Sequence, residues 1–196
     1  MGYTVPTIFR LGRPLCDRKG RTAMELIRIT DLNDPRAARS LAEYQHSFPR
    51  HEQRPPASQA AIMADGDYQF LLIQKGQETV GTILLWETAD FIYVEHLYIY
   101  AACRGRDYGS RTLAALARRK KVIILEIAPP EDPVALRRQQ FYIRNGFVVN
   151  PSPHIHPPYR PEYSGHPLVV MTAPRAISPA EYAAFADYLR RRVMGQ

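Results

Sequence analysis

The chain has 196 residues, of which 45% are hydrophobic and 23% are charged. This length and composition predict one globular domain with a sizeable core. No apolar run approaches the ~20 residues that a membrane-spanning helix needs, and the first residues lack the apolar stretch of a secretory signal. We therefore expect a cytoplasmic protein without a membrane partner.

The formal charge of +7 and the isoelectric point near 9.6 predict attraction to anions without saying which anion is bound. The densest basic run, at 118–121, falls at the C-terminal end of a predicted helix, where cations favour the helix dipole and a solvated helix end is expected. Aromatic residues do not alternate with these charges, and no nucleic-acid-binding module is recognisable, so no nucleic-acid partner is expected.

The two cysteines, Cys16 and Cys103, are far apart and lack the spacing of metal ligands. This usage fits a reducing compartment and argues against a disulfide scaffold. No accompanying His/Asp signature marks Cys103 as a nucleophile, so we expect it to be a packing residue.

Residues 1–23 contain several prolines, glycines and basic residues, and a clear first strand follows at 24–29. We expect 1–23 to be a flexible extension, or the product of a start codon placed upstream, with Met24 as the alternative start.

The next elements are two helices and three strands. Periodicity and turn residues predict helices over 31–45 and 58–63 and strands over 68–74, 79–86 and 91–100.

The second half of the chain alternates strands and helices. We predict a helix over 108–120, a strand buried on both faces over 122–127, a helix over 133–144 and strands over 147–149 and 168–171. Residues 150–167 are rich in Pro, His and Tyr and are expected to be a loop. The segment 174–196 holds a last helix, which starts with a capping box at Ser178-Pro179-Ala180-Glu181. The resulting order is β-α-α-β-β-β-α-β-α-β-β-α, an α/β domain with a mixed sheet.

The most informative segment is the strand that runs into an Arg/Gly loop at 104–110 and then into a helix. Backbone N–H groups at a helix start have no partner within the helix, and they point the same way as the positive end of its dipole. Glycines let the backbone approach a ligand closely. The loop therefore predicts a cradle for a phosphate or pyrophosphate.

Leu97-Tyr98-Ile99, followed by Arg104 and Gly105-x-x-x-Gly109-Ser110, resembles the acyl-CoA-binding motif of the GNAT superfamily of N-acyltransferases. The strand Leu125-Glu126-Ile127 and the segment 141–147, which reads FYxxxGF, are similar to later parts of the same family. The strand and helix order agrees from about 24 to 171, so the resemblance implies an N-acyltransferase domain over 24–173, with the helix of 174–196 packed on the same domain.

The resemblance implies a mixed, mostly antiparallel sheet of about seven strands flanked by helices. It also implies acetyl-CoA as the co-substrate, no metal, and transfer of an acetyl or other acyl group to a primary amine by direct attack in a ternary complex. The protein is expected to be a monomer or homodimer. The acyl-CoA-binding residues it implies are Leu97, Tyr98, Ile99, Arg104, Gly105, Arg106, Asp107, Tyr108, Gly109 and Ser110. The alternative is a non-catalytic acyl-CoA-binding or sensor domain.

Three residues are candidates for catalysis. Tyr142 has the ordinary pKa of a phenol, about 10, and could protonate the departing thiolate, although a core aromatic is the alternative. Glu126 and Glu95 could each take the amine proton through a water molecule, or each could belong to a structural ion pair, for instance with Arg138. The resemblance implies that a backbone N–H near Ile99 stabilises the oxyanion.

Two positions depart from the family pattern. Asp107 replaces a small residue and brings a carboxylate close to the expected pyrophosphate. It tolerates a left-handed backbone and is expected to cap the helix at Tyr108, so it should weaken CoA binding only modestly. Ala135 stands near an Asn that contacts pantetheine in some relatives, and that contact is absent here.

His154, His156 and His166, with Tyr159 and Tyr163, could suggest a metal site. The loop that carries them offers no Cys or carboxylate at ligand spacing, so no metal is expected. We expect the loop to wall the acceptor pocket instead.

Overall fold

The centre of the molecule is a seven-stranded sheet in the computed structural model, which describes residues 24–196. The predicted extension at 1–23 and Cys16 lie outside the described residues. The strands are β1 (Met24–Ile29), β2 (Tyr68–Lys75), β3 (Glu78–Glu87), β4 (Phe91–Ile99), β5 (Val122–Ile127), β6 (Val148–Val149), β7 (Ile155–His156), β8 (His166–Pro167) and β9 (Val169–Ala173). The sheet order is β1-β2-β3-β4-β5-β9-β6, and β7 pairs with β8 in a separate hairpin.

Within the described part of the chain, β4 and β5 form the one parallel pair, and every other pairing is antiparallel. The predicted fold, a mixed and mostly antiparallel sheet of about seven strands flanked by helices, is confirmed. A parallel pair needs a crossover, and the helix between β4 and β5 provides it.

Within residues 24–196, five α-helices surround the sheet. They are α1 (Pro35–Ser47), α2 (Pro56–Ile62), α3 (Tyr108–Ala117), α4 (Pro133–Arg144) and α5 (Pro179–Tyr188). Asp34, Asp132 and Ser178 cap α1, α4 and α5 through their side chains, and the capping box of Ser178 with Glu181 forms as predicted. Short 3-10 turns lie at Arg50–Glu52 and Ala101–Cys103, and one π turn at Leu189–Val193 continues α5.

The core lies on both faces of the central strands. Consecutive residues are buried over 70–73 in β2 and over 80–86 in β3, which requires cover on each face. Phe185 of α5 is fully buried and packs its ring 5.2 Å from that of Tyr93 in β4. The C-terminal helix therefore contributes directly to the core beneath β4.

Strands β4 and β5 separate halfway along their length. They pair from Phe91 with Val122 only as far as Val94 with Leu125. At that point β4 contains a bulge, because Leu84 pairs with His96 and Leu85 with Val94, which leaves Glu95 as the extra residue. A bulge bends its strand and increases the local twist. The second half of β4 consequently leaves β5, and a gap opens in the middle of the sheet.

Several boundaries differ from the sequence predictions, among them those of the first two helices, which span Pro35–Ser47 and Pro56–Ile62 rather than 31–45 and 58–63. Helix α3 ends at Ala117 rather than at 120, and the chain turns at Lys120, whose φ is +58°. The last strand of the sheet runs over Val169–Ala173 rather than 168–171. The segment 150–167, predicted to be a loop, contains both strands of the β7–β8 hairpin. These pieces are two residues long, too short for a periodic signal.

The basic run and the cysteine have defined partners. Arg119 and Lys121 both form ion pairs with Glu87, at 2.5 and 3.0 Å, so the solvated helix end predicted for 118–121 is wrong for two of the four residues. Cys103 is buried, as expected of a packing residue, and burial raises the pKa of its thiol.

Asn150 joins β9 to the segment before α5. Its amide nitrogen donates to Thr172 Oγ1 at 2.8 Å, and its oxygen accepts from the Ile177 N–H at 3.0 Å. Asn150→Ala leaves these buried groups without partners and should lower the free energy of unfolding by about 1–3 kcal/mol. Urea denaturation measures the loss. Asn33→Ala, in an exposed turn, should cost less than about 0.5 kcal/mol, and an equal cost for both would contradict the assignment.

Candidate functional site

Two adjoining cavities follow the gap between β4 and β5. The central cavity, of about 240 Å³, includes Glu95, Glu126, Tyr142 and His156 in its lining. The loop cavity, of about 500 Å³, is lined by the Arg/Gly loop, the start of α3 and the end of α4. Ile99 and Arg104 line both cavities, so the two spaces meet at the end of β4.

The structure places nine of the ten predicted acyl-CoA-binding residues on these cavities. Ile99 and Arg104 line both, and Leu97 and Tyr98 line the central cavity. Those that line the loop cavity alone are Gly105, Asp107, Tyr108, Gly109 and Ser110. Arg106 lines neither cavity. The side chain of Arg104 also donates from Nε to the Ile99 carbonyl at 3.2 Å, which ties the loop to the end of β4.

The backbone of the loop suits an anion. Gly105 has φ +74° and Asp107 has φ +63°, which turn the chain sharply into α3. The left-handed conformation of Asp107 is as expected, but its side chain makes no capping hydrogen bond, so the predicted cap is wrong. The first turn of α3 also carries no acidic residue. The helix start thus keeps N–H donors without a side-chain acceptor, which is the arrangement that accepts a phosphate.

Gly109 allows α4 to approach α3. A Cβ atom at this position would lie 3.1 Å from Cζ of Phe141, tighter than an ordinary contact. The Phe141 ring lines the loop cavity, and the next residue, Tyr142, lines the central cavity. Sequence positions 109 and 141–142, distant along the chain, therefore come together at the junction of the two cavities.

Glu95 is held by a buried ion pair. Arg54 donates to Glu95 Oε1 at 2.7 and 3.2 Å, and Trp86 Nε1 donates to Oε2 at 2.7 Å. Burial alone would raise the pKa of this carboxyl group, but the charge of Arg54 outweighs it and the pKa is lowered. The partner is Arg54 rather than the Arg138 considered from the sequence.

Glu126 is also paired on both oxygens. His154 Nε2 donates to Oε1, and the Tyr93 hydroxyl donates to Oε2 at 2.5 Å. His154 Nδ1 lies 2.9 Å from the Tyr182 hydroxyl, which also lies 2.9 Å from the Pro153 carbonyl. Glu126 and His154 thus form a buried, hydrogen-bonded pair.

Burial would raise the pKa of Glu126, but the neighbouring His156 and His154 lower it below the usual value. A general base at neutral pH needs the opposite shift. These contacts favour the ion-pair interpretation of Glu126 and Glu95 over the role of base, again with partners other than Arg138.

Tyr142 lines the central cavity with its ring packed against those of Phe141 and Phe147. Burial raises the pKa of its phenol to about 12, with the charge of Arg138 acting in the opposite direction. The hydroxyl is therefore protonated at neutral pH and can serve as a proton donor.

Histidines form much of the remaining wall. His96, His156 and His166 all line the central cavity, and each has one buried ring nitrogen without a hydrogen-bond partner: Nδ1 of His96 and Nε2 of the other two. The hairpin of β7 and β8 carries two of them, because His156 pairs with His166. The segment 150–167 thus walls the cavity, where sequence analysis expected the acceptor pocket.

Sequence analysis did not single out His96, Arg54 or Tyr93. A usable signal existed for His154 and His156, because Ile155 between them is 61% exposed while both imidazoles are buried. Such alternation is typical of a strand with one buried face. Arg54 gave no signal, because the Pro-rich turn around it resembles a surface loop.

Within residues 24–196, one set of side chains offers metal-binding atoms close together: His51, Glu52 and His166, whose ligand atoms lie within 4.8 Å of one another. Zinc ligands lie about 2.0–2.1 Å from the ion, so neighbouring ligand atoms in a formed site are about 3.4 Å apart. His51 Nε2 and Glu52 Oε1 lie 3.7 Å apart, slightly wider than this spacing.

Comparisons with known proteins agree with this geometry. The model of the family described as "Acetyltransferase (GNAT) domain" matches residues 66–149. The structure of a candidate GNAT-family acetyltransferase from Bacteroides thetaiotaomicron is 27% identical, with a TM-score of 0.82 over 88% of this chain and 99% of that chain. The structure of a Bacillus subtilis acetyltransferase in complex with CoA has a TM-score of 0.51 at 12% identity, over 76% of this chain and 96% of that chain, and is similar in fold alone.

Among curated proteins, YjbC of Bacillus subtilis (strain 168), named as a candidate acetyltransferase, is 28% identical over 109 residues. The alignment covers 55% of this chain and 54% of YjbC, so the chain spans about half the length of that relative. Of the described residues, no helix is both long and apolar enough to cross a bilayer.

The mixed sheet, its separated central strands and the matched domain define an α/β protein with the acetyltransferase fold. Residues 66–149 match the GNAT acetyltransferase domain and the fold is the one of that superfamily, in agreement with the resemblance seen in the sequence.

His96 makes the site sensitive to acid. Its Nε2 donates to the Glu52 carbonyl at 3.0 Å, and its ring packs against those of Tyr44 and Phe48. Burial lowers the pKa of His96 from 6.5 to about 4, although the charge of Glu95 favours protonation. The unfolded chain therefore binds more protons than the folded one between these two values.

Acidification should consequently destabilise the protein. The stability that is fully present above pH 6.5 is lost as the pH falls towards about 4, by an amount of about 3 kcal/mol. Urea denaturation at about pH 7 and about pH 4.5 measures this loss, which His96→Gln should reduce. His46→Gln, at an exposed histidine of α1, should keep the wild-type dependence. The same dependence in wild type and His96→Gln would contradict the assignment.

Proposed function

We propose that the protein transfers an acetyl or other acyl group from acyl-CoA to a primary amine, by direct attack of the amine in a ternary complex. The observation that carries the proposal is the meeting of the two cavities at Ile99 and Arg104. One cavity has the features of an anion cradle, and the other holds a buried phenol and unpartnered imidazole nitrogens. An extended thioester reaching from the first into the second would place its carbonyl beside β4.

The loop cavity suits the pyrophosphate of CoA. Arg104 supplies a positive charge, Gly105 leaves room for close approach of the backbone, and the first turn of α3 supplies N–H donors. CoA is bound in the Bacillus subtilis structure of the same fold. The carboxylate of Asp107 opposes an anion here, which fits the modest weakening expected from the sequence.

The end of β4 supports a site for the oxyanion. The Tyr100 N–H donates to the Val80 carbonyl of β3 at 3.0 Å. Successive N–H groups of a strand point to opposite edges, so that of Ile99 points away from β3, into the gap. A thioester carbonyl in the gap could accept this hydrogen bond as its oxygen becomes negative.

Tyr142 is proposed to protonate the leaving sulfur. Its hydroxyl carries a proton at neutral pH, because burial raises the phenol pKa to about 12. A thiolate expelled into the same buried space is also destabilised by desolvation, so its basicity rises together with that of Tyr142. Proton transfer then gives the neutral thiol, while the C–N bond of the amide replaces the C–S bond.

Tyr142→Phe should lower kcat by at least about 10²-fold with little change in CoA affinity, since it removes a proton donor and keeps the ring. Thiol release from acetyl-CoA with a panel of primary amines measures the rate. Tyr163→Phe, in the loop before β8, should keep wild-type turnover. CoA binding without turnover on any amine would support the non-catalytic binding domain instead.

Asp107→Asn should tighten CoA binding about 5-fold, because asparagine accepts the same left-handed backbone without the repelling charge of about 1 kcal/mol. Titration calorimetry with CoA measures the dissociation constant. Asp90→Asn, in the exposed turn before β4, removes the same charge outside the loop and should leave the constant unchanged. Weaker binding by Asp107→Asn would contradict the placement of the pyrophosphate.

A further inference from the structure

We propose that His156 Nε2 is the base that takes the proton from the acceptor amine in the central cavity. This inference rests on the proposed acyl transfer and identifies the general base that the proposed reaction still needs. The carboxylates expected to act as base, Glu95 and Glu126, are each held on both oxygens by hydrogen bonds to other side chains.

The ring of His156 has a defined tautomer. Nδ1 lies 2.6 Å from the Pro157 carbonyl, which can only accept, so Nδ1 carries the hydrogen. In the neutral ring Nε2 therefore presents a lone pair, and this atom is buried without a hydrogen-bond partner. A buried acceptor without a donor is costly unless a ligand supplies the missing hydrogen. An amine N–H in the central cavity would supply it.

Glu126 stands where it can stabilise the protonated ring. Its Oε2 lies 3.8 Å from His156 Nε2, too far for a hydrogen bond and close enough for an ion pair. The charge on the imidazolium would be offset by this buried carboxylate. Glu126 is thus a positioning residue. Its carboxylate, which the sequence analysis considered as the base, would instead stabilise the protonated His156.

The other two imidazoles are less suited. Burial lowers the pKa of His96 to about 4, which makes its ring a weak base, and burial also lowers the pKa of His166. His156 is 2% exposed and lies in the hairpin, where a Cβ on Gly165 would come within 2.9 Å of the His156 carbonyl. This close packing fixes the backbone that carries His156.

The titratable and charged groups that face or neighbour His156 come from every element around the cavity. They are Glu126 of β5, Glu95 and His96 of β4, His166 of β8, Arg138 and Tyr142 of α4, and Glu52, His154, Tyr159, Arg54 and Arg104.

The proton balance is complete within the site. An ammonium group R–NH3⁺ gives one proton to Nε2 and becomes a neutral amine, whose lone pair forms the C–N bond with the thioester carbonyl carbon. The C–S bond breaks, and Tyr142 protonates the sulfur. The nitrogen then loses its second proton, which restores the Tyr142 hydroxyl, and the imidazolium releases its proton to solvent.

The test compares wild type with His156→Gln, using acetyl-CoA and whichever of ethanolamine, putrescine and lysine methyl ester is acylated fastest by the wild type. We expect kcat to fall by about 10²–10⁴-fold, with CoA affinity retained. The decline of wild-type kcat/KM on acidification should disappear in the variant. Added imidazole should partly restore turnover to His156→Ala, a result that a merely structural role would not give. His46→Gln is the matched control and should behave as wild type.

Turnover within about 3-fold of wild type in His156→Gln, with the acidic decline intact, would overturn the assignment while leaving acyl transfer established. Failure of the wild type to acylate any amine would refute the proposed function instead. If the variants do not fold, ¹⁵N NMR of histidine-labelled wild type can determine which ring nitrogen of His156 carries the hydrogen. A neutral His156 protonated on Nδ1 is expected, and one protonated on Nε2 would refute the proposal.

Discussion

The separation of β4 from β5 is the constraint on which the site depends. An extra residue at Glu95 bends β4 away, and Arg54 and Trp86 anchor that residue from two directions. Removing one partner of a buried pair leaves an uncompensated charge, which costs far more than the pair itself contributes. The bend is therefore held by electrostatics as well as by packing. Both cavities exist because the two strands do not stay paired.

In this protein the buried carboxylates are paired with other side chains, while several buried imidazole nitrogens have no hydrogen-bond partner. Glu95 forms an ion pair with Arg54, and Glu126 is hydrogen-bonded to His154 and Tyr93. Around them stand imidazole nitrogens without partners. Natural interiors rarely contain unsatisfied polar atoms, and a catalytic role or a bound water or ion is among the reasons for such atoms. The division separates the groups that maintain the structure from those available to a substrate.

Sequence reasoning predicted the main helices and strands along the chain and the Arg/Gly loop because both depend on local patterns, namely periodicity, capping residues and glycine spacing. It could also identify Glu126 as unusual, since a carboxylate in an apolar strand needs a partner. It could not identify the partners. Arg54 and His154 meet their carboxylates through contacts between residues 41 and 28 positions apart, and no local rule predicts such pairs. The failed cap at Asp107 shows the same limit on a smaller scale.

The hydrogen bond from Arg104 to the Ile99 carbonyl connects the loop cavity, where an anion would bind, to the end of β4, where the thioester would react. In the proposed complex the Arg104 guanidinium would bind an anion in the loop while its Nε donates to the Ile99 carbonyl. That carbonyl belongs to the last peptide group of β4, whose Tyr100 N–H is hydrogen-bonded to β3. Arg104 retains further N–H groups for the anion while Nε is engaged. Occupation of the loop would thereby stiffen the strand end beside the reacting carbonyl. Binding of the nucleotide portion of CoA would then also help to align the thioester.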